Sequence, residues 1–175
     1  MGKVVLEKII RMQPDFNKIY VMIREKKNMS LMERFEKQIF SSEIFVPLFQ
    51  KQPGLRKHLA GRIEPVGGDL IINNLGLSEA DRAMLVANID VIINCAASVS
   101  FDDPLLDAIQ INYFGCKRML ELALQCAKIQ CFTHVSTAYV NCNFEGNSIV
   151  EEKVYDLPNG QDPEQVIADI MRLTP

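Results

Sequence analysis

The chain has 175 residues, 48% of them apolar and 23% charged, with a formal net charge of −3. This is the composition of one globular domain or part of one, and it excludes an electrostatic nucleic-acid binder. No apolar run approaches the roughly 20 residues needed to span a bilayer, and Glu7 with Lys8 interrupts residues 4–10, so no signal peptide is expected there.

Gly2–Met12 predicts an amphipathic helix, with Val5, Ile9 and Met12 on one face and Leu6 and Ile10 beside them. Pro14 and Asp15 end it. Residues 18–23 (KIYVMI) predict a buried strand that stops at Arg24. Ser30 and Glu33 form a capping-box pattern, so a helix starts near Leu31 and puts Leu31, Met32, Phe35 and Ile39 on its apolar face. Phe45, Val46, Leu48 and Phe49 suggest a short packed segment, and Pro53-Gly54 a turn. Lys51, Arg56, Lys57, His58 and Arg62 form a basic cluster, either a solvated face or a contact for phosphates.

Residues 62–66 predict a strand, and Pro65 places it at a sheet edge, because proline cannot donate to a central ladder. Ser78 opens a short helix, and residues 90–94 predict a buried strand. Cys95, Ala96, Ala97 and Ser98 follow at its carboxyl end, small enough either for helix–sheet packing or for a diphosphate or ribose to approach the backbone. Pro104 sits at the start of a further helix. Residues 109–127 carry the clearest helical spacing, through Met119, Leu122, Ala123 and Cys126. Residues 131–135 predict a short buried strand with His134 as a core or strand-end residue, and residues 164–173 a last helix. Cys95, Cys116, Cys126, Cys131 and Cys142 include no Cys-x-x-Cys pair, and only two histidines are present, which argues against a zinc site. An odd number of thiols within apolar segments fits buried, free cysteines in a reducing compartment.

The strand at 131–135 stops at two hydroxyl residues, Ser136 and Thr137. In an open α/β sheet, ligands bind beyond the carboxyl ends of the strands. Such a pair either caps a turn or faces a ligand. The surrounding HVSTAYVNCN (134–143) and EEKVY (151–155), with NCAASVSFD (94–102) and Ile111-Asn112 upstream, resemble the fatty acyl-CoA reductase family of extended short-chain dehydrogenases/reductases over essentially the whole chain.

The resemblance implies an α/β fold: a Rossmann-like, doubly wound parallel sheet, here incomplete, with residues 1–175 forming a partial NAD(P)-binding reductase domain. It makes Gly2 the third glycine of a Gly-x-x-Gly-x-x-Gly turn. Arg24 lies 22 residues further on, where an arginine accommodates the 2′-phosphate of NADPH; a solvated basic loop with Lys26 and Lys27 is the alternative. Asp69 and Leu70 would lie under the adenine, or form an ordinary strand-to-loop turn. Cys95, Ala96 and Ala97 would flank the cofactor. Asn112 would hold backbone and water beneath the catalytic groups. Thr137, with Ser136 second, would stabilise the carbonyl oxygen.

The implied reaction reduces a long-chain acyl-CoA through aldehyde to a primary alcohol with NADPH. The family works at peroxisomal or endoplasmic reticulum membranes, on the cytosolic face, through C-terminal segments absent here. The family's catalytic Tyr-x-x-x-Lys is missing. Tyr113 and Lys117 have the spacing but precede Thr137, the reverse of the family order. The catalytic pair is therefore expected after Pro175, and the first strand with two glycines before Met1, so this chain alone is expected to be inactive. Without that strand two half-sheets with unpaired edges are expected. Rival readings are another extended reductase, such as a sterol dehydrogenase or sugar-nucleotide epimerase, and a non-catalytic nucleotide-binding or interaction fragment.

Overall fold

The computed structural model describes residues 1–173. These divide into two compact units, Met1–Val135 and residues 136–173.

In the first unit α1 (Gly2–Met12) buries Leu6 and Ile10, four residues apart on one face. Met12, expected on that face, is 53% exposed: the buried stripe runs one position later than predicted. β1 (Ile19–Ile23) pairs in parallel with β2 (Ile63–Gly67), in register from Ile19↔Ile63 to Ile23↔Gly67. Pro65 lies opposite Val21. β1 is the only partner of β2 among the described residues, so β2 is an edge strand, as its proline requires.

Strand periodicity sends β1 into two cores. Ile19, Val21 and Ile23 pack on one cluster, built from Leu6, Ile10, Phe35, Phe40, Phe45, Leu48, Leu59 and Ile63. Phe35 and Phe40 touch there with ring centroids 4.5 Å apart. Tyr20 and Met22 point the other way, to a cluster that includes Val66, Leu75, Leu85, Ile92, Met119 and Leu122. The β1–β2 sheet thus has helices on both faces, the doubly wound arrangement.

The first cluster is supplied by α2 (Leu31–Phe35), a wider π-type turn over Glu36–Phe40, a 3₁₀ turn over Glu43–Phe45, α3 (Val46–Lys51) and α4 (Leu55–Leu59). Ser30 Oγ accepts from the Glu33 N–H at 3.2 Å and starts α2 as predicted. Met32 and Val46, expected to pack, are 50% and 46% exposed, because the π-type and 3₁₀ turns rotate the apolar face away from them.

The second cluster lies under α5 (Glu79–Asn88), capped by Ser78 Oγ on the Asp81 N–H at 3.0 Å. β3 (Val91–Asn94) pairs in parallel with β4 (Cys131–His134). Between them run α6 (Leu105–Ala108), a π-type stretch over Ile109–Phe114 and α7 (Gly115–Gln125), whose Met119, Leu122 and Ala123 are buried. No strand among the described residues joins the two two-stranded sheets, matching the expected half-sheets.

The strand at β4 is not buried as expected. Phe132 is half-buried, while Cys131, Thr133, His134 and Val135 are exposed. On β3, Ile92 and Asn94 are buried but Val91 and Ile93 are exposed. One face of this sheet rests on α7 and the other is bare, whereas parallel sheets are ordinarily covered on both. All five cysteines are free, but only Cys126 is buried, which corrects the expectation of several buried thiols. Most of the others sit on bare strand or surface loop.

In the second unit a 3₁₀ turn spans Ala138–Asn141, and Phe144 meets Tyr155 edge-on at 4.8 Å. Helix α8 (Pro163–Arg172) is capped by Asp162, which accepts from the Glu164 N–H at 3.1 Å. Thr174 and Pro175, expected to end that helix, lie outside the described residues.

Candidate functional site

Parallel pairing puts the ends of β3 and β4 side by side, and the Val135 N–H donates to the Asn94 carbonyl at 2.9 Å, so Cys95 and Val135 leave the same end of that sheet. A Cβ built on Gly2 would lie 3.5 Å from Cys95 Sγ, so the N-terminus of α1 stands beside the first residue after β3. Met1 caps that helix without a side-chain hydrogen bond, and the first turn carries no acidic residue. Its leading amides precede the first intrahelical donor–acceptor pairs and carry the positive end of the helix dipole. Cys95 is half-buried, and Ala96 and Ala97 are exposed. The Val4 and Val5 N–H groups bond the Met1 carbonyl at 2.8 and 3.2 Å, so the Gly2 and Lys3 amides are the ones that suit the diphosphate of a dinucleotide; Gly2 and Cys95 are brought together there, with Ala96 and Ala97 next in the chain.

Asn112 fixes the same loop from the helical side. Its Oδ1 accepts from the Ser98 N–H at 2.9 Å and its Nδ2 donates to the Ser98 carbonyl at 3.1 Å. Ser98 Oγ also bonds Asp103. The π-type stretch that presents Asn112 is of a kind frequent at functional positions. Behind it, Asn94 Nδ2 lies 3.2 Å from His134 Nδ1, and Cys116 Sγ lies 3.5 Å from the same nitrogen.

The other expected residues are placed less directly. Arg24 is exposed at the end of β1, and its carbonyl accepts from the Arg34 guanidinium. Asp69 is half-buried and spends one carboxylate oxygen on the Ile71 N–H at 3.1 Å, which is its turn-forming role. Leu70 is 8% exposed, with its side chain in the core against Gly115, where an added Cβ would sit 2.9 Å from Leu70 Cβ. The Leu70 carbonyl is taken by Arg118 at 2.7 Å. Ser136 and Thr137 are exposed in the second unit, and Thr137 Oγ1 accepts from the Tyr139 N–H at 3.2 Å, capping the turn. Accepting that bond leaves the hydroxyl hydrogen available to donate. Lys117 Nζ lies 5.8 Å over the Tyr113 ring, so this pair stacks along one helix.

Sequence reasoning named Ser98 only as one of four small residues after the strand, without its partners, and missed Asp103 and Arg118. Their signal is tertiary: each is defined by a partner at least five positions away, and Arg118 reaches Leu70 across 48. Two clefts, of about 560 and 530 Å³, are lined by Asn73, Phe114 and Arg118 and by Ile71, Asp107 and Ile111 respectively; neither contains an expected site residue. Among the described residues no group of side chains is arranged to hold a metal, and no helix is long and apolar enough to cross a membrane.

Known proteins resemble this chain over most of its length. Mouse fatty acyl-CoA reductase 1 is 36% identical over 167 residues, covering 95% of this chain and 30% of the mouse protein. Bovine fatty acyl-CoA reductase 2 is 34% identical over the same length and share. The chain thus spans about a third of the length of these relatives. Among solved structures, the terminal R domain from the myxalamid PKS-NRPS biosynthetic pathway superposes with a TM-score of 0.63 at 32% identity, over 79% of this chain and 32% of that one. Residues 1–173 match the Male sterility protein model of NAD-binding domains, and the chain belongs to that family.

Proposed function

We propose that this chain is the cofactor-binding part of an NADPH-dependent fatty acyl-CoA reductase, which takes a long-chain acyl-CoA to the primary alcohol. The family is one of nicotinamide-dinucleotide-binding domains. The observation that carries the reading is the joining of the α1 N-terminus, the Cys95–Ala97 loop and the Asn112 clamp at the carboxyl end of β3. The names of its relatives supply the substrate class.

The bound cofactor supplies the hydride. The residues of this chain bind and orient. The Gly2 and Lys3 amides at the start of α1 hold the diphosphate. Ala96 and Ala97 leave room for the ribose, and Asn112 prevents the loop from closing over that room. Arg24 meets the 2′-phosphate, a charge-assisted contact that NADH lacks. Thr137 donates its hydroxyl hydrogen to the thioester oxygen, which gains charge as hydride arrives; Ser136 is the second donor. Membrane contact and a peroxisomal or reticular location belong to the same proposal and rest on the family alone.

The test is product analysis. The protein is expressed with the sequence that flanks this chain in its transcript and incubated with hexadecanoyl-CoA and NADPH. Hexadecanol should form, and Thr137→Ala should lower its rate by about 100-fold, the typical loss of an oxyanion donor. Oxidation of a sterol in place of acyl-CoA reduction would move the assignment to another extended reductase.

A further inference from the structure

We infer that Cys116 is a reactive thiol, activated by His134, and a modification site for small disulfides and soft electrophiles. The argument begins with register. Asn94 and His134 are paired residues at the ends of β3 and β4. They lie two positions beyond Ile92 and Phe132, which face α7, so the Asn94 amide and the His134 ring face α7 too. On α7, Cys116 precedes Met119, Ala123 and Cys126 at spacings of three and four, so the thiol lies on the stripe that meets the strands. Strand register and helix stripe together set Cys116 Sγ 3.5 Å from His134 Nδ1.

Asn94 meets the same ring nitrogen. It is 3% exposed, and its Nδ2, which can only donate, lies 3.2 Å from the same Nδ1. In the tautomer whose Nδ1 carries the lone pair, the ring is a base placed at the thiol, with the amide and the thiol as its two neighbouring donors. When the proton moves from Cys116 Sγ to Nδ1, the amide turned about its own bond offers Oδ1 to the imidazolium, so both states keep a partner. Cys116 is half-buried and His134 exposed, the partial access typical of reactive thiols. The other thiols lack this arrangement. Burial pushes the Cys126 thiol pKa up, Cys131 meets a threonine hydroxyl at 3.5 Å, and the second histidine, His58, lies 2.6 Å from an Arg62 nitrogen.

With a low-molecular-weight disulfide RSSR the step is an exchange. Cys116 gives its proton to His134 and its sulfur attacks one sulfur of RSSR. The S–S bond breaks, a Cys116–SR bond forms, and the leaving thiolate takes the proton from His134 to depart as RSH. The protein thiol is oxidised to a mixed disulfide, and one half of RSSR is reduced.

The experiment labels the intact protein with limiting N-ethylmaleimide at neutral pH and measures the rate at each of the five cysteines by peptide mass spectrometry. Cys116 should react about tenfold faster than exposed Cys131 and Cys142, since rate follows thiolate fraction. His134→Gln, which keeps a hydrogen-bonding oxygen but no base, should bring Cys116 down to their level. Cys126 reports folding, because a variant that opens the core exposes it. If His134→Gln labels at Cys126, His134→Asn replaces it, and the wild-type ranking needs no variant at all. Cys116 reacting no faster than Cys131 overturns the inference, as does a fast Cys116 that ignores the loss of His134. Neither readout requires a nucleotide, so the outcome is separate from that of the proposed reductase function.

Discussion

Asn112 closes a ring of two hydrogen bonds on the backbone of Ser98, accepting from its N–H at 2.9 Å and donating to its carbonyl at 3.1 Å. An amide side chain carries both a donor and an acceptor and so can match a peptide in both directions at once. The bond pair ties the loop after β3 to the helix leading into α7, and so fixes the small-residue face that the proposed cofactor meets.

Replacing Asn112 by Ala removes both bonds at an exposed position. Each is worth about 0.5–1.5 kcal/mol net, so the expected cost is about 1–2 kcal/mol, a few degrees in melting temperature. NADPH affinity should fall by about tenfold, because the loop is no longer held open. Asn112→Asp keeps the acceptor and loses the donor, and should fall between the two in both thermal melting and titration.

Gly115→Ala sets helix propensity against packing. Alanine gains about 1 kcal/mol over glycine within a helix. The new methyl would lie 2.9 Å from Leu70 Cβ, an atom next to backbone that cannot swing away. Overpacking of this kind costs about 1–3 kcal/mol, so the variant should be destabilised by about 1 kcal/mol in denaturant unfolding.

Much of this was legible in the sequence, and the reasons differ by element. Helices α1, α2, α5 and α7 and all four strands follow from apolar spacing and from the Ser30 and Ser78 caps, which are local signals. The edge position of β2 follows from Pro65. The bare face of β3–β4 did not follow, because VIIN reads the same whether one face or both are covered. The family resemblance puts Leu70 with Asp69 under the adenine; the burial of its side chain against Gly115 depends on a residue 45 positions away and has no local signal. The Cys116–His134–Asn94 cluster depends on strand register and helix facing together, and no spacing in the sequence announces it.

The bare face gives a prediction about the 175-residue chain by itself. Val91 and Ile93 are 47% and 38% exposed, and each sheet has two strands among the described residues. Isolated two-stranded units are marginal, and domain stability is only about 5–15 kcal/mol. The chain should aggregate on heating, and Ile93→Lys should delay aggregation in light scattering while shifting stability by less than about 0.5 kcal/mol. Ile92→Ala, on the covered face, should instead cost about 2–4 kcal/mol. A sharp, reversible, two-state melt of the unaltered chain would contradict this picture.

Burial raises the Cys126 thiol pKa, which has a sign that can be checked. The folded state holds that proton more tightly than the unfolded chain, so its contribution is full below the ordinary thiol range of about 8.5 and declines above it. Cys126→Ala should flatten the alkaline loss of stability in denaturant melts at pH 7–10, while leaving the acid side unchanged.

The measurement that tests the central claim most directly is titration of the folded protein with NADPH and NADH, by calorimetry, for the wild type and Arg24→Ala. The account predicts that NADPH binds at least about tenfold more tightly than NADH, and that Arg24→Ala removes the difference by weakening NADPH alone, as the loss of a charge-assisted phosphate contact requires. Binding of neither nucleotide to the folded protein would contradict it.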